Sequence, residues 1–167
     1  NKKWNYSDAL ESTDHIILQK KYGLFINGEF VPPISKKYFN TINPATNEVI
    51  AKIAEANKKD VDFAVNSARL AFKGWSKLKA KQRGKYIFRI ARMIQERSKE
   101  FAVIESIDGG KPIRESRDID IPLAADHFFY YAGWADKLEY AFPNKNPKPL
   151  GVAGQIIPWN FRLLMAA

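Results

Sequence analysis

The spacing of apolar residues changes twice along this chain, and each change restricts what it can fold into. Up to about residue 54 the apolar residues come in short runs broken by turn formers. Leu24-Phe25-Ile26 and Glu29-Phe30-Val31 flank Asn27-Gly28. That dipeptide suits a type I′ hairpin, whose two central residues both need positive φ. Residues 38–42 and 49–53 flank Asn43-Pro44-Ala45-Thr46-Asn47, a Pro-containing turn, and form a second strand pair. Beyond Asn57 the period becomes helical. At Gly151 it reverts to one short, Gly-bounded apolar run at 152–157, the pattern of a buried strand.

The helical stretch divides at recognisable signals. Asn57 is an N-cap, and Asp60 three residues on favours the exposed amides. Val61, Ala64, Val65, Ala68, Ala71, Phe72 and Trp75 then share one face. A second helix over 80–96 is expected to bury Ile87, Ile90, Ala91 and Ile94, and a third over 99–107 to bury Ala102, Val103 and Ile107. Asp108-Gly109-Gly110-Lys111-Pro112 is a helix stop. Pro122 suits the first turn of a fourth helix, which carries Leu123, Ala124, Phe128, Tyr131, Ala132 and Ala135.

The order is therefore hairpins, helices and a lone strand. Helices feeding one buried strand imply a parallel sheet whose other strands lie beyond residue 167. A helix starting at Phe161-Arg162-Leu163 would be only a turn or two long within this chain, too short to stand alone. The expected fold class is α/β, the front part of a longer protein, with residues 1–22 as an N-terminal extension.

Composition removes several functions. There is no Cys, so disulfides, thiolate nucleophiles and Cys-based zinc sites are absent from these 167 residues. This fits a reducing compartment, and a cytoplasmic location is expected. His15 and His127 are the only histidines and are far apart, so no metal site is expected. The net charge of +9 raises the question of a nucleic-acid partner. The basic residues of 77–99 alternate with apolar ones at helical spacing, which reads as the wet face of an amphipathic helix. No nucleic-acid partner is expected, and no apolar run is long enough to cross a membrane.

Chemistry gathers at Ile156-Ile157-Pro158-Trp159-Asn160. A strand end followed by a helix start is where open α/β sheets bind ligands. The Asn160 carboxamide N–H suits an oxyanion, and Trp159 suits an apolar wall against a planar cofactor. Spacing alone favours a tight turn, with Pro for φ, Trp for packing and Asn for capping, since such turns are common. Gly109-Gly110-Lys111 lacks the spacing of a phosphate loop and reads as a helix C-cap. Gly151 and Gly154 do not make a dinucleotide fingerprint. Asp118, Asp120 and Asp126 read as caps and solvated carboxylates.

The run from Gly151 through Pro158-Trp159-Asn160-Phe161 to Leu163-Leu164-Met165 resembles the strand-turn-helix of the NAD(P)-dependent aldehyde dehydrogenases. Other segments agree in order. Phe25-Ile26-Asn27-Gly28-Glu29-Phe30 resembles the family's first hairpin. The run from Asn43 to Ile50 resembles its Asn-Pro-Ala-Thr-Gly-Glu-Val-Ile strand pair. Asp60-Val61-Asp62 through Gly74-Trp75 resembles its first helix, and 105–112 its Glu-x-x-Asp-x-Gly-Lys-Pro segment.

The resemblance implies that residues 23–167 are part of a dinucleotide-binding, Rossmann-like domain whose hairpins contribute to oligomerisation. It implies oxidation of a small-molecule aldehyde to a carboxylic acid, with NAD or NADP as cofactor, in a homo-oligomer. In the family a Cys thiolate attacks the aldehyde to give a thiohemiacetal, and a Glu helps water release the acid. Asn160 would be the oxyanion donor, and Ile156, Ile157, Pro158 and Trp159 would line the cofactor site. The family's Cys and Glu are expected to lie past residue 167, so the chain alone is expected to be inactive. Arg162 stands where the family commonly has Pro. The alternative is a short non-catalytic protein of the same ancestry that pairs with a full-length subunit.

Overall fold

The computed structural model describes residues 12–167. The first half of the expected extension therefore lies outside the described residues. Five strands come first: β1 (Lys21–Tyr22), β2 (Leu24–Ile26), β3 (Glu29–Val31), β4 (Tyr38–Ile42) and β5 (Val49–Ala54). The helices are α1 (Lys58–Trp75), α2 (Ala80–Glu96), α3 (Ser98–Gly109), α4 (Ile113–Glu115), α5 (Ile121–Trp134), α6 (Leu138–Ala141) and α7 (Arg162–Ala166). A π-helical turn, Ser116–Asp120, joins α4 to α5.

Both expected hairpins form. Asn27 (φ 55°) and Gly28 (φ 83°) turn β2 antiparallel onto β3, and Phe25 meets Phe30 across the pair at 5.0 Å. β4 pairs antiparallel with β5, with an irregularity between Thr41 and Ile42. Its turn is closed by Asn43 N–H donating to the Glu48 carbonyl, and by the Asn43 side chain accepting from Ala45 N–H. β1 adds to β5 in parallel, giving the order β1-β5-β4. Residues 21 and 22, assigned from sequence to the extension, are thus stitched to a sheet edge.

The start of α1 explains how hairpins and helices are joined. Asn57 Oδ1 accepts from Lys59 N–H (2.8 Å) and Asp60 N–H (3.2 Å), while Asp60 Oδ2 accepts from Asn57 N–H (2.9 Å). This reciprocal capping satisfies amides that a helix end leaves unpaired. The second Asp60 oxygen accepts Ile34 N–H (3.0 Å), tying the segment after Pro33 to the helix. Asp60 is 4% exposed. Asp60→Ala loses a cap and strands a part-buried amide, so urea unfolding should show a loss of about 2 kcal/mol. A loss under about 0.5 kcal/mol would mean that water replaces both contacts.

The core lies where α3 and α5 meet α2. Ile94, Ala102, Ile121 and Ala125 are buried together, with Phe101, Phe128, Phe129 and Leu163 packed around them. α2 and α5 approach closely because small residues line the seam. Ala91 and Ala124 are fully buried, and a Cβ on Gly84 would sit 3.0 Å from the Ala132 carbonyl oxygen. α2 runs over Ala80–Glu96 as its spacing predicted. Its buried face is narrower than expected, however. Ile90 is 43% exposed and Ile87 only half-buried, because the face is covered mainly by one neighbour, α5. On α1, Ala64, Val65, Ala68 and Phe72 are half-buried, while Val61, Ala71 and Trp75 remain exposed.

α3 stops at Gly110, whose φ of 73° is left-handed. The helix that follows begins earlier than Pro122 suggested. It starts at Ile113 and passes through the π turn, which brings Ser116 and Asp120 inward. Pro122 follows that wide turn, where a residue without an N–H is accommodated.

Residues 151–158 carry no regular secondary structure. The expected strand at 152–157 is unpaired, and Ile156 is fully exposed. A strand exists through the ladder to its neighbour, and no strand among the described residues lies beside it.

Candidate functional site

The turn at Trp159-Asn160 lies between this unpaired segment and α7. Ile156 and Trp159 are exposed (100% and 87%), as is Pro158, while Ile157 is half-buried. Gly151 has a φ of 101°, and the space beside Gly151 and Gly154 is open. Asn160 is exposed, and its carboxamide has no hydrogen-bond partner among the described residues. The five residues singled out from sequence are thus adjacent and accessible. Exposed Ile156 and Trp159 fit one apolar wall of a site for a planar cofactor. A free carboxamide fits a donor to an oxygen that gains charge.

What anchors this turn was not foreseen from sequence. Lys111, just after the α3 stop, places its ammonium 4.0 Å from the centre of the Phe161 ring. The same ammonium pairs with the carboxylate of Asp120 on the π turn. These two side chains are 12% and 3% exposed. Asp120, expected to be a cap or a solvated carboxylate, is therefore half of a buried ion pair. The π turn carries it inward, which α-helical spacing does not predict. Asp118 and Asp126 do face solvent, Asp118 with Arg117 beside it.

One helical turn away, Arg162 Nη1 lies 3.1 Å from Asp108 Oδ2, and Nη2 donates to the Asp108 carbonyl (3.3 Å). The Thr41 hydroxyl on β4 donates to the other Asp108 oxygen. Ser106 and Ser116 are hydrogen-bonded at 3.0 Å. Trp159, Arg162 and Asp108 border an open recess of about 580 Å³, whose other walls include Tyr22, Phe39 and Ile107.

Glu105 sits inside this group, 8% exposed, and its Oε1 has no hydrogen-bond partner. Burial pushes its carboxyl above the usual range, and Arg162 and Lys111 only partly pull it back. A raised folded-state value means the folded chain holds this proton more tightly than the unfolded one. The stability this provides is fully present below the ordinary Glu range and is lost as pH rises through the folded value. Glu105→Gln is therefore expected to raise the melting temperature at neutral pH, and the gain should shrink as pH falls through the raised folded value and be gone below about 4.3. A gain that does not depend on pH would contradict this account.

Within the basic stretch at 77–99, Lys81, Lys85, Arg89 and Arg92 lie exposed on the solvated face of α2. Among the described residues no group of His, Asp and Glu is placed to hold a metal ion. None of their helices is long and apolar enough to cross a membrane.

The model of the aldehyde dehydrogenase family matches residues 30–167. An aldehyde dehydrogenase of Alternaria alternata is 44% identical over 152 residues, covering 86% of this chain and 31% of that protein. A mitochondrial aldehyde dehydrogenase of Leishmania tarentolae is 45% identical over 152 residues, with 86% and 30% covered. The NAD+ complex of an aldehyde dehydrogenase from Bacillus cereus superposes with a TM-score of 0.81 at 39% identity, over 87% of this chain and 32% of that one. The chain spans about a third of the length of these relatives, and it matches their N-terminal part. Unpaired as residues 152–157 are here, hairpins, helices and turn follow the order found in those proteins, and the chain belongs to the aldehyde dehydrogenase family.

Proposed function

We propose that this chain contributes the oxyanion donor and one wall of the cofactor site to an enzyme that oxidises an aldehyde to a carboxylic acid. The observation that carries this reading is the free, exposed Asn160 carboxamide, one residue after the exposed Trp159 and four after Ile156. When a thiolate adds to an aldehyde to give a thiohemiacetal, the carbonyl oxygen takes up negative charge. An N–H held in advance stabilises that charge more than it stabilises the neutral substrate. Ile156, Ile157, Pro158 and Trp159 would hold the cofactor against apolar surface. NAD or NADP, when bound, supplies the hydride acceptor.

The chain contains no Cys, and in this reading the nucleophile and the water-activating Glu are supplied from outside its 167 residues. The aldehyde is the small-molecule partner, the assembly is a homo-oligomer joined partly through the hairpins, and the compartment is the cytoplasm. Support for the hairpin role comes from the outward-facing Phe25 and Phe30, which are 65% and 69% exposed.

The test is a chimaera in which this chain replaces the matched 152 residues of the Alternaria alternata relative. The purified 167-residue chain is expected to form no NADH from aldehyde and NAD+, and the chimaera is expected to form it. NADH from the chain alone would overturn the division of labour. A folded, NAD-binding chimaera without activity would overturn the role given to this segment, and would favour the alternative of a non-catalytic pairing protein.

A further inference from the structure

We propose that Arg162 is a positioning residue, clasping the Trp159–Phe161 turn to the C-terminal end of α3 through Asp108. The chemical purpose of the clasp rests on the reading of Asn160 above. Its existence does not.

The turn needs an external anchor. α7 has five residues and no side-chain N-cap, too few for a helix to hold itself. The segment leading into it, residues 151–158, makes no ladder. Leu163 packs on the core from one side. Beside the Lys111 ammonium at the Phe161 ring, the guanidinium of Arg162 supplies a further anchor, with one nitrogen 3.1 Å from the Asp108 carboxylate and another donating to the Asp108 main-chain carbonyl.

That carbonyl is among the last four of α3, which an α-helix leaves without an internal partner. A carboxylate at the negative end of a helix is unfavourable by itself, so a cation here answers both the dipole and Asp108. The far side of Asp108 is held by the Thr41 hydroxyl from β4. Room for the guanidinium comes from Gly109, where a Cβ would lie 3.0 Å from Nη1. β4, α3 and α7 are therefore joined through one arginine, two residues from Asn160. A proline at 162 would start a helix equally well, but it has no group to reach Asp108.

Hydrogen exchange of the 167-residue chain reads the clasp directly, because Met165 N–H and Ala167 N–H close α7 onto Phe161 and Leu163. Arg162→Ala is expected to speed exchange across 161–167 about fivefold, with α2 unchanged. Asp108→Asn should do the same, and the double variant should add little to either single one. Arg162→Lys keeps the charge but loses the fork, and should give an intermediate rate.

The pair is partly exposed, with side chains at 34% and 29%. Raising salt from about 0.05 M to about 1 M should therefore loosen the wild-type segment but leave Arg162→Ala unaffected. Packing alone would not produce that salt dependence. Wild-type exchange in Arg162→Ala, or no salt response in the wild type, would overturn the proposal. If Arg162→Ala loosens α2 as well, Arg162→Lys decides: an intermediate rate confined to 161–167 supports the clasp, and a wild-type rate overturns it. None of these readouts involves turnover, so they stand or fall separately from the role of Asn160.

Discussion

Asn160→Ala, placed in the chimaera, is expected to lower kcat by about 10² to 10³ while leaving the cofactor Kd within about twofold. The magnitude follows from what the side chain can reach. It is exposed and unpartnered, so its loss removes no fold contact and leaves no buried group unsatisfied. What disappears is an N–H aimed at charge that exists only in the transition state, and such a loss falls on kcat rather than on ground-state binding. Asn160→Asp is the sharper variant. It is nearly isosteric but replaces the donor with an anion beside the developing oxyanion, so its rate should fall below that of Asn160→Ala. If Asn160→Ala raises KM and spares kcat, Asn160 is a substrate-binding residue and the oxyanion role fails. If the melting temperature of Asn160→Ala drops by several degrees, Asn160 is a structural cap, the other reading that its spacing allowed.

How far the sequence reveals this molecule depends on how local each signal is. Asn27-Gly28 specifies its hairpin because the turn's two positive φ values are a property of those two residues. Asn57 with Asp60, and Gly110 in the left-handed region, mark helix ends for the same reason. α2 is visible from its period. What stayed hidden depends on distant partners. Ile90 looks buried on a helical wheel, yet 43% of it stays exposed. Residues 152–157 look like a strand, but a strand needs an adjacent one. Residues 21 and 22 look like extension, yet β5 offers them an edge.

The candidate site divides along the same line. The turn residues were legible because Pro158-Trp159-Asn160 is contiguous. The ionic framework behind it was not. Asp108, Lys111, Asp120 and Arg162 meet through a left-handed helix stop and a π turn, and the π turn breaks the spacing from which a helical pairing would be read. The Gly-Gly-Lys-Pro segment gave a partial signal. A lysine directly after a helix stop is free to point back beneath it, which is what Lys111 does toward Asp120 and Phe161.

Lys111→Ala is accordingly expected to be the most damaging single change to stability, about 3 to 5 kcal/mol by urea unfolding. Removing the ammonium strands the Asp120 carboxylate, whose side chain is 3% exposed and has little solvent to take over. A domain of this size has about 5 to 15 kcal/mol in all, so the variant should be partly unfolded or aggregated at 37 °C. The loss includes the contact over Phe161, worth about 0.5 to 1 kcal/mol, which would loosen the Asn160 turn from the side opposite Arg162. The pair itself need not be the source of the stability. Lys111→Met combined with Asp120→Leu removes both charges and keeps apolar volume, and it should recover most of what Lys111→Ala loses. That recovery would place the cost in the unpaired carboxylate rather than in any net attraction. A Lys111→Ala loss below about 1 kcal/mol, with an unchanged m-value, would instead mean that water reaches Asp120 and that the framework beneath the turn is solvated.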